Sequence, residues 1–225
     1  MIVMEQPIKS DASIDPHSYR DFGISPDPSH RPLYLHHVRR LLADLPRGSA
    51  VLDAGCGGGD FAIGLHELGL DVYGLDLSES AISHARSLEV ARFETGSLSD
   101  NLNEPFDVAE FKAILAIEVI EHLYSPNAFA KRAYEALAPG GMLIVTTPYW
   151  GYLKNIVLAV TNRMDRSLTA LWEGGHIKHF SRTTLTNLMR AEGFQEIAFI
   201  GCGEGWRPYL PYLWSGMLMA FRKPA

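Results

Sequence analysis

The decapeptide VLDAGCGGGD, residues 51–60, constrains this chain more than any other stretch. An apolar run ends at Asp53, glycines follow at 55, 57, 58 and 59, and a helical pattern starts near Asp60. Glycine permits positive φ and lets a ligand approach the backbone closely. A helix start adds N–H groups that favour an anionic ligand group. One or two glycines suffice for a tight strand-to-helix turn, so four point to a ligand held against the loop. Seventeen residues after Gly59 a second apolar run ends at Asp76, where a carboxylate can accept both hydroxyls of a ribose. Together these features indicate a nucleoside cofactor. Gly57, Gly59 and Ala62 also satisfy G-x-G-x-x-A, so a dinucleotide-dependent oxidoreductase stays open on pattern alone.

The loop opens a regular alternation of short apolar runs and helical patterns. AVLDAG, DVYGLDL, ARFETG, KAILAIEV and MLIVTTP read as five strands, the fourth apolar enough for burial on both faces of a parallel sheet. DFAIGLHELG, SESAISHARSL (with Ser78 as N-cap) and SPNAFAKRAYEALAPGG, ending in a Pro-Gly-Gly turn, read as the helices between them. The spacing of Leu35, Val38, Leu41, Leu42 and Leu45 predicts an earlier helix over 31–45. Such alternation implies right-handed crossovers and an α/β, doubly wound, Rossmann-like sheet with helices on both faces. Residues 1–30, rich in Pro, Ser, Asp and His, read as an N-terminal arm, and 31–225 as one domain. The rhythm breaks over 149–180, and a structureless insertion of that length is usually functional. Its aromatic and apolar content suits a lid over a small-molecule acceptor. A homodimer interface or a peripheral membrane contact is the alternative, to which WRPYLPYLW at 206–214 also lends itself. The helix SRTTLTNLMRAEGF and two further strands complete the chain.

Apolar residues make up 47% and charged residues 20%, which fits a globular, non-disordered protein. A net charge of −6 gives no general pull toward nucleic acid, so no nucleic-acid partner is expected. Cys56 and Cys202 form no C-x-x-C pair, which argues against a disulfide framework or zinc ribbon. The first residues lack a signal-peptide pattern, and no apolar run approaches the roughly 20 residues of a membrane span. A cytoplasmic location is the expectation.

AIEVIEHL, residues 116–123, follows the fourth strand and places Glu118, Glu121 and His122 on one face if a helix begins there. Functional groups gather at the carboxyl ends of parallel strands, and Glu118 sits at such an end. Two carboxylates and an imidazole suit a divalent cation, magnesium or zinc, and EGGHIKHFS supplies His176 and His179 as further ligands. Alternatively the glutamates simply favour a helix N-terminus. His122 and His176, with His179 third, are also the candidate proton acceptors, since histidine titrates near neutrality.

The ordered set D-A-G-C-G-G-G, an acidic end to strand two, EVIEHL and LAPGGMLIVTTP resembles class I S-adenosylmethionine-dependent methyltransferases over residues 31–222. The resemblance implies a seven-stranded sheet with the last strand, 215–222, antiparallel between strands five and six. It implies that Asp53 meets the cofactor's amino group and that N–H groups around Gly55 and Gly57, with Cys56 and Gly59 in the same loop, meet its methionine portion. Asp76 would hold the ribose and Leu77 pack on the adenine, with Ser97, Leu98 and Ile117 completing the site. Family members often carry Asp where this chain has Ser97, so Asp100, Ser97 or a backbone carbonyl is left to bind the adenine amino group. Lys112 replaces another common Asp, and its position at the far end of strand four suits an exposed lysine. The E-x-x-E-H group followed by a distant His is similar to small-RNA 2′-O-methyltransferases. E-x-x-E-H itself is similar to ubiquinone-biosynthesis O-methyltransferases, although EVIEHL also occurs in relatives that use no metal. The resemblance thus implies methyl transfer from S-adenosylmethionine to a phenol, quinol precursor or sugar hydroxyl. N-methylation, RNA 2′-O-methylation and a non-catalytic cofactor sensor are the alternatives. The oxidoreductase reading loses ground because no Tyr-x-x-x-Lys follows strand five.

Overall fold

The computed structural model describes residues 31–168, 175–203 and 213–225. The arm at 1–30, residues 169–174 of the expected lid and residues 204–212 of the aromatic connector lie outside this description. Seven strands form one sheet: β1 (Ala50–Ala54), β2 (Asp71–Asp76), β3 (Arg92–Thr95), β4 (Phe111–Ile117), β5 (Leu137–Pro148), β6 (Gln195–Cys202) and β7 (Gly216–Arg222). Their order is β3-β2-β1-β4-β5-β7-β6, and β7 runs antiparallel to both neighbours. The expected doubly wound sheet with an inserted antiparallel last strand is what the chain forms.

Successive side chains of a strand face opposite sides, so each buried strand feeds two cores. Leu52, Leu75, Ile114 and Val145 meet Phe129 and Ala133 of α4 (Pro126–Ala136) and Leu185 and Met189 of α6 (Arg182–Ala191). Val51, Val72, Leu115 and Ile144 meet α1 (Arg31–Leu42), α2 (Asp60–His66) and α3 (Glu79–Arg86) through Val38, Leu65 and Ile82. Burying each such aliphatic side chain contributes about 1.5–3 kcal/mol. Ala113, Ile114, Leu115 and Ala116 are wholly buried, as the apolarity of β4 implies, while Lys112 is exposed.

Local differences from expectation have identifiable causes. Helix α1 stops at Leu42, where the Leu45 N–H turns back onto the Leu42 carbonyl before Pro46. The Pro-Gly-Gly segment lies within β5: the Gly140 N–H donates to the Lys223 carbonyl and the Lys223 N–H to the Gly141 carbonyl. The Lys223 ammonium also donates to the Tyr134 and Leu137 carbonyls, satisfying the open end of α4. The break at 149–180 is not structureless, because Tyr152–Val160 forms a helix, α5, with no buried residue. Among the described residues, no helix is long and apolar enough to cross a membrane.

Candidate active site

The carboxyl ends of β1, β2 and β4 converge on the glycine loop. Gly55, Gly57 and Gly59 take φ values of 79°, 50° and 82°, a region closed to most L side chains. A Cβ on Gly55 would stand 2.5 Å from a methyl of Val119, so the segment after β4 lies directly against the loop. A Cβ on Gly57 would meet nothing within 4 Å, which leaves open space above the loop. The loop holds its shape with its own donors. Gly55 and Cys56 N–H groups both donate to the Leu75 carbonyl, and Gly59 N–H to the Cys56 carbonyl. The Gly57 N–H donates to Asp76 Oδ2 at 2.9 Å, and the Ser78 N–H to Asp76 Oδ1 at 2.9 Å.

These bonds set the shape of the loop, and Gly57 leaves room above it. Asp76 is fixed in orientation with acceptor capacity left on both oxygens. Asp53 is buried at the end of β1, and Leu77 presents its apolar side chain at 42% exposure just after β2. Ile117, closing β4, is half-buried. Cys56 points inward against Gly74, and burial, then the Asp53 and Asp76 charges, push its thiol far up. It packs beneath the loop as a neutral group. Leu98 is buried with Leu75, Leu102 and Phe106, where its side chain supports the turn after β3. Ser97 Oγ accepts from the Ser99 N–H, and Asp100 is exposed. Open space, an anchored carboxylate, a buried one and an exposed leucine together fit a nucleoside bearing a charged amino-acid tail.

Directly after β4, where the spacing within EVIEHL suggested a helical face, the chain makes no α-helix. Glu118 adopts a left-handed φ of 54°, with its N–H donating to Thr146 Oγ1 at 2.9 Å, and a single 3₁₀ turn covers Ile120–His122. A non-glycine residue held there costs on the order of 1–3 kcal/mol and persists only where its surroundings enforce it. The turn buries Glu121 completely, and the Glu121 carbonyl accepts from both the Ile177 and Lys178 N–H groups at 3.0 Å. That docking carries His176 to the site. Its Nε2 lies 3.9 Å from Glu121 Oε1, and its ring meets that of His122 edge-on at 5.0 Å.

One ligand atom from each of Glu121, His122 and His176 lies within 4.8 Å of the others. The structure thus joins Glu121, His122 and His176 from among the expected metal ligands. Glu118 stands near them, while both carboxylate oxygens of Glu121 are buried with no hydrogen-bond partner among the described residues. Burial first, then the Glu118 charge, holds the Glu121 carboxyl well above the usual carboxylate range. His179 goes elsewhere: its ring packs on Trp150 at 4.1 Å, and burial, then Lys154, lowers its pKa. A groove of about 560 Å³ between α4 and α6 begins two residues beyond each cluster histidine, lined in part by Tyr124, Asn127, Lys178 and Leu188. Tyr34 of α1, whose hydroxyl bonds to Glu118, was not among the sequence candidates, and no local pattern marks it.

A family model described as a methyltransferase domain matches residues 29–198. A protein of Mycolicibacterium smegmatis named "Probable S-adenosylmethionine-dependent methyltransferase" is 30% identical over 170 residues, 75% of this chain and 60% of that one. The ubiquinone biosynthesis O-methyltransferase of Alkalilimnicola ehrlichii is 33% identical over 124 residues, 52% of this chain and 48% of its own length. The match thus spans about half to three fifths of these curated relatives. The magnesium protoporphyrin IX methyltransferase of Synechocystis PCC 6803, solved with bound S-adenosylhomocysteine, shares the fold. Its TM-score is 0.63 at 19% identity, covering 84% of this chain and 82% of that one.

Proposed function

The chain belongs to the methyltransferase-domain family of class I S-adenosylmethionine-dependent methyltransferases, and we propose that it methylates a hydroxyl oxygen of a small molecule. The observation that carries the oxygen reading is the pairing of His122 and His176 over the buried Glu121. A neutral amine can attack without help, whereas a hydroxyl has to lose a proton, and two adjacent imidazoles suit that task. The name of the Alkalilimnicola relative favours a phenolic or quinol-type acceptor.

Bound at the loop, the cofactor supplies an electrophilic methyl group on a sulfonium that leaves as a neutral thioether. Asp53 would hold its amino group, Asp76 its ribose and Leu77 its adenine. Val119, packed on Gly55, joins that loop to the histidine turn, so the fold sets donor and acceptor sites side by side. Glu121, His122 and His176 would hold a divalent cation, which supplies Lewis acidity toward the acceptor oxygen. Two imidazoles and one carboxylate suit zinc better than magnesium, and three protein ligands are the usual number of a catalytic zinc site. Without an ion, the same histidines take the hydroxyl proton directly. Helix α5, exposing Tyr152, Leu153, Ile156 and Val157, serves as one wall of the acceptor lid, and the groove beside Tyr124 and Lys178 receives the acceptor's distal part.

The test is a methyl-transfer assay on matched phenol, catechol and amine panels, with and without EDTA. Turnover of the hydroxyl compounds and none of the amines supports the proposal. Turnover of amines alone would refute it.

A further inference from the structure

We propose that the groove between α4 and α6 binds a carboxylate carried by the methyl acceptor, and that Lys178 is the residue that selects it. The inference deepens the hydroxyl-acceptor reading given above and rests on it. The groove encloses about 560 Å³, room for an aromatic ring and its substituents. Among the described residues no Asp or Glu lines it. Lys178 supplies a cation, Asn127 and Asn187 supply amides, and Ser125 supplies a hydroxyl. His179 is also on the wall, and burial, then Lys154, lowers its pKa, so it adds no charge near neutrality. The groove therefore presents one positive charge and several neutral donors, the complement of a monoanion. A phosphate is more often met by clustered arginines, which this groove lacks among the described residues. A carboxylate is the better match.

Lys178 is placed for this task by its own backbone. Its N–H and that of Ile177 both donate to the Glu121 carbonyl at 3.0 Å, which ties it to the turn carrying His122. It follows His176 by two positions, at most about 7 Å along the backbone. A ring with a hydroxyl and a carboxylate at opposite ends spans that interval. The Lys178 side chain is half-buried, and its ammonium stands 5.9 Å from the centre of the Tyr124 ring. That ring, 83% exposed, steadies the ammonium at the groove wall. Among the described residues the ammonium forms no ion pair. The ammonium groups of Lys154 and Lys223 donate to backbone carbonyls, whereas the donors of Lys178 are left for a ligand.

The test compares binding of 4-hydroxybenzoate, 4-hydroxybenzamide and 4-hydroxyphenyl phosphate to the full chain saturated with S-adenosylhomocysteine. Wild type, Lys178→Met and Lys178→Arg are titrated at low salt, where screening is weak. Methyl transfer to the same compounds is followed with S-adenosylmethionine. A hydrogen bond to a charged group is worth about tenfold in affinity or more. Wild type and Lys178→Arg should therefore bind the acid at least about tenfold more tightly than the amide. Lys178→Met should bind both as weakly as wild type binds the amide, and the product should be a methyl ether. Absent binding of the acid in wild type, or equal affinity for acid and amide, overturns the proposal. So does an acid preference that survives in Lys178→Met. Tighter binding of the phosphate overturns the carboxylate assignment, and a methyl ester product overturns it by putting the carboxylate at the histidines. Failure of the hydroxyl reading looks different: the acid preference holds and depends on Lys178, but neither hydroxyl is methylated.

Discussion

The glycine loop and the histidine cluster touch through Gly55 and Val119 but are assembled differently. The loop takes its donors and acceptors from residues 53–78, with β1 and β2 paired in register from Ala50 opposite Asp71. The cluster takes Tyr34 from α1, Glu118 to His122 from the turn after β4, Thr146 from β5 and His176 from the segment before α6. The first region is therefore fixed by short-range hydrogen bonds, and the second by the docking of distant elements. Damage in one should leave the other working.

The strongest way to break this comparison is His122→Ala or His176→Ala. Each should lower kcat about 10²–10⁴-fold, the usual worth of a positioned proton acceptor, with S-adenosylhomocysteine affinity unchanged. A matching loss of affinity would show that the two regions are not separable. Asp53→Ala should do the reverse. A bond to a charged group is worth about 1.5–3 kcal/mol, so affinity for S-adenosylhomocysteine should fall roughly 10–100-fold, while kcat at saturating cofactor changes little. Equilibrium titration and steady-state kinetics on the same preparation decide it.

Gly55→Ala sharpens the comparison at the point of contact. It forces a side chain into φ 79° and against Val119, at a cost of about 1–3 kcal/mol. Urea unfolding should register that loss, and both cofactor affinity and kcat should decline together. A fall in only one of them would mean that the Gly55–Val119 contact does not link the regions.

The smallest effect belongs to Glu196 of β6, outside both regions. Burial alone would raise its carboxyl, but Thr186 and then Arg182 outweigh it and hold its pKa below the ordinary value. A depressed carboxylate stabilises above the unfolded-state pKa, and the contribution is lost as pH falls through the folded value. Arg182 is largely exposed, so Arg182→Ala should cost only about 0.2–1 kcal/mol near neutrality and less in acid, seen by urea unfolding at two pH values. Cofactor affinity and kcat should not move; a change in either would mean that the Arg182–Glu196 pair is coupled to the site.

The same contrast explains what could be read from the residues. The glycine loop and the alternation of strands and helices are local signals, and they appear where the patterns put them. The Pro-Gly-Gly segment misled because its turn chemistry is overruled by pairing with Lys223, just beyond the end of β7. The spacing within EVIEHL suggested a helical face, yet Glu118 leaves the helical region and a 3₁₀ turn brings Glu121 inward. His176 and His179 look alike in sequence; the bonds from Ile177 and Lys178 to the Glu121 carbonyl bring the first to the cluster, and Trp150 holds the second. Tyr34 gave no signal at all, since its partner lies in an element far along the chain.

The measurement closest to the central claim is calorimetric titration of S-adenosylhomocysteine into wild type and His122→Ala, each with and without EDTA. The account predicts micromolar binding in all four samples, because the loop region binds the cofactor independently of the histidine cluster and of any ion. No binding to wild type would contradict it at its root.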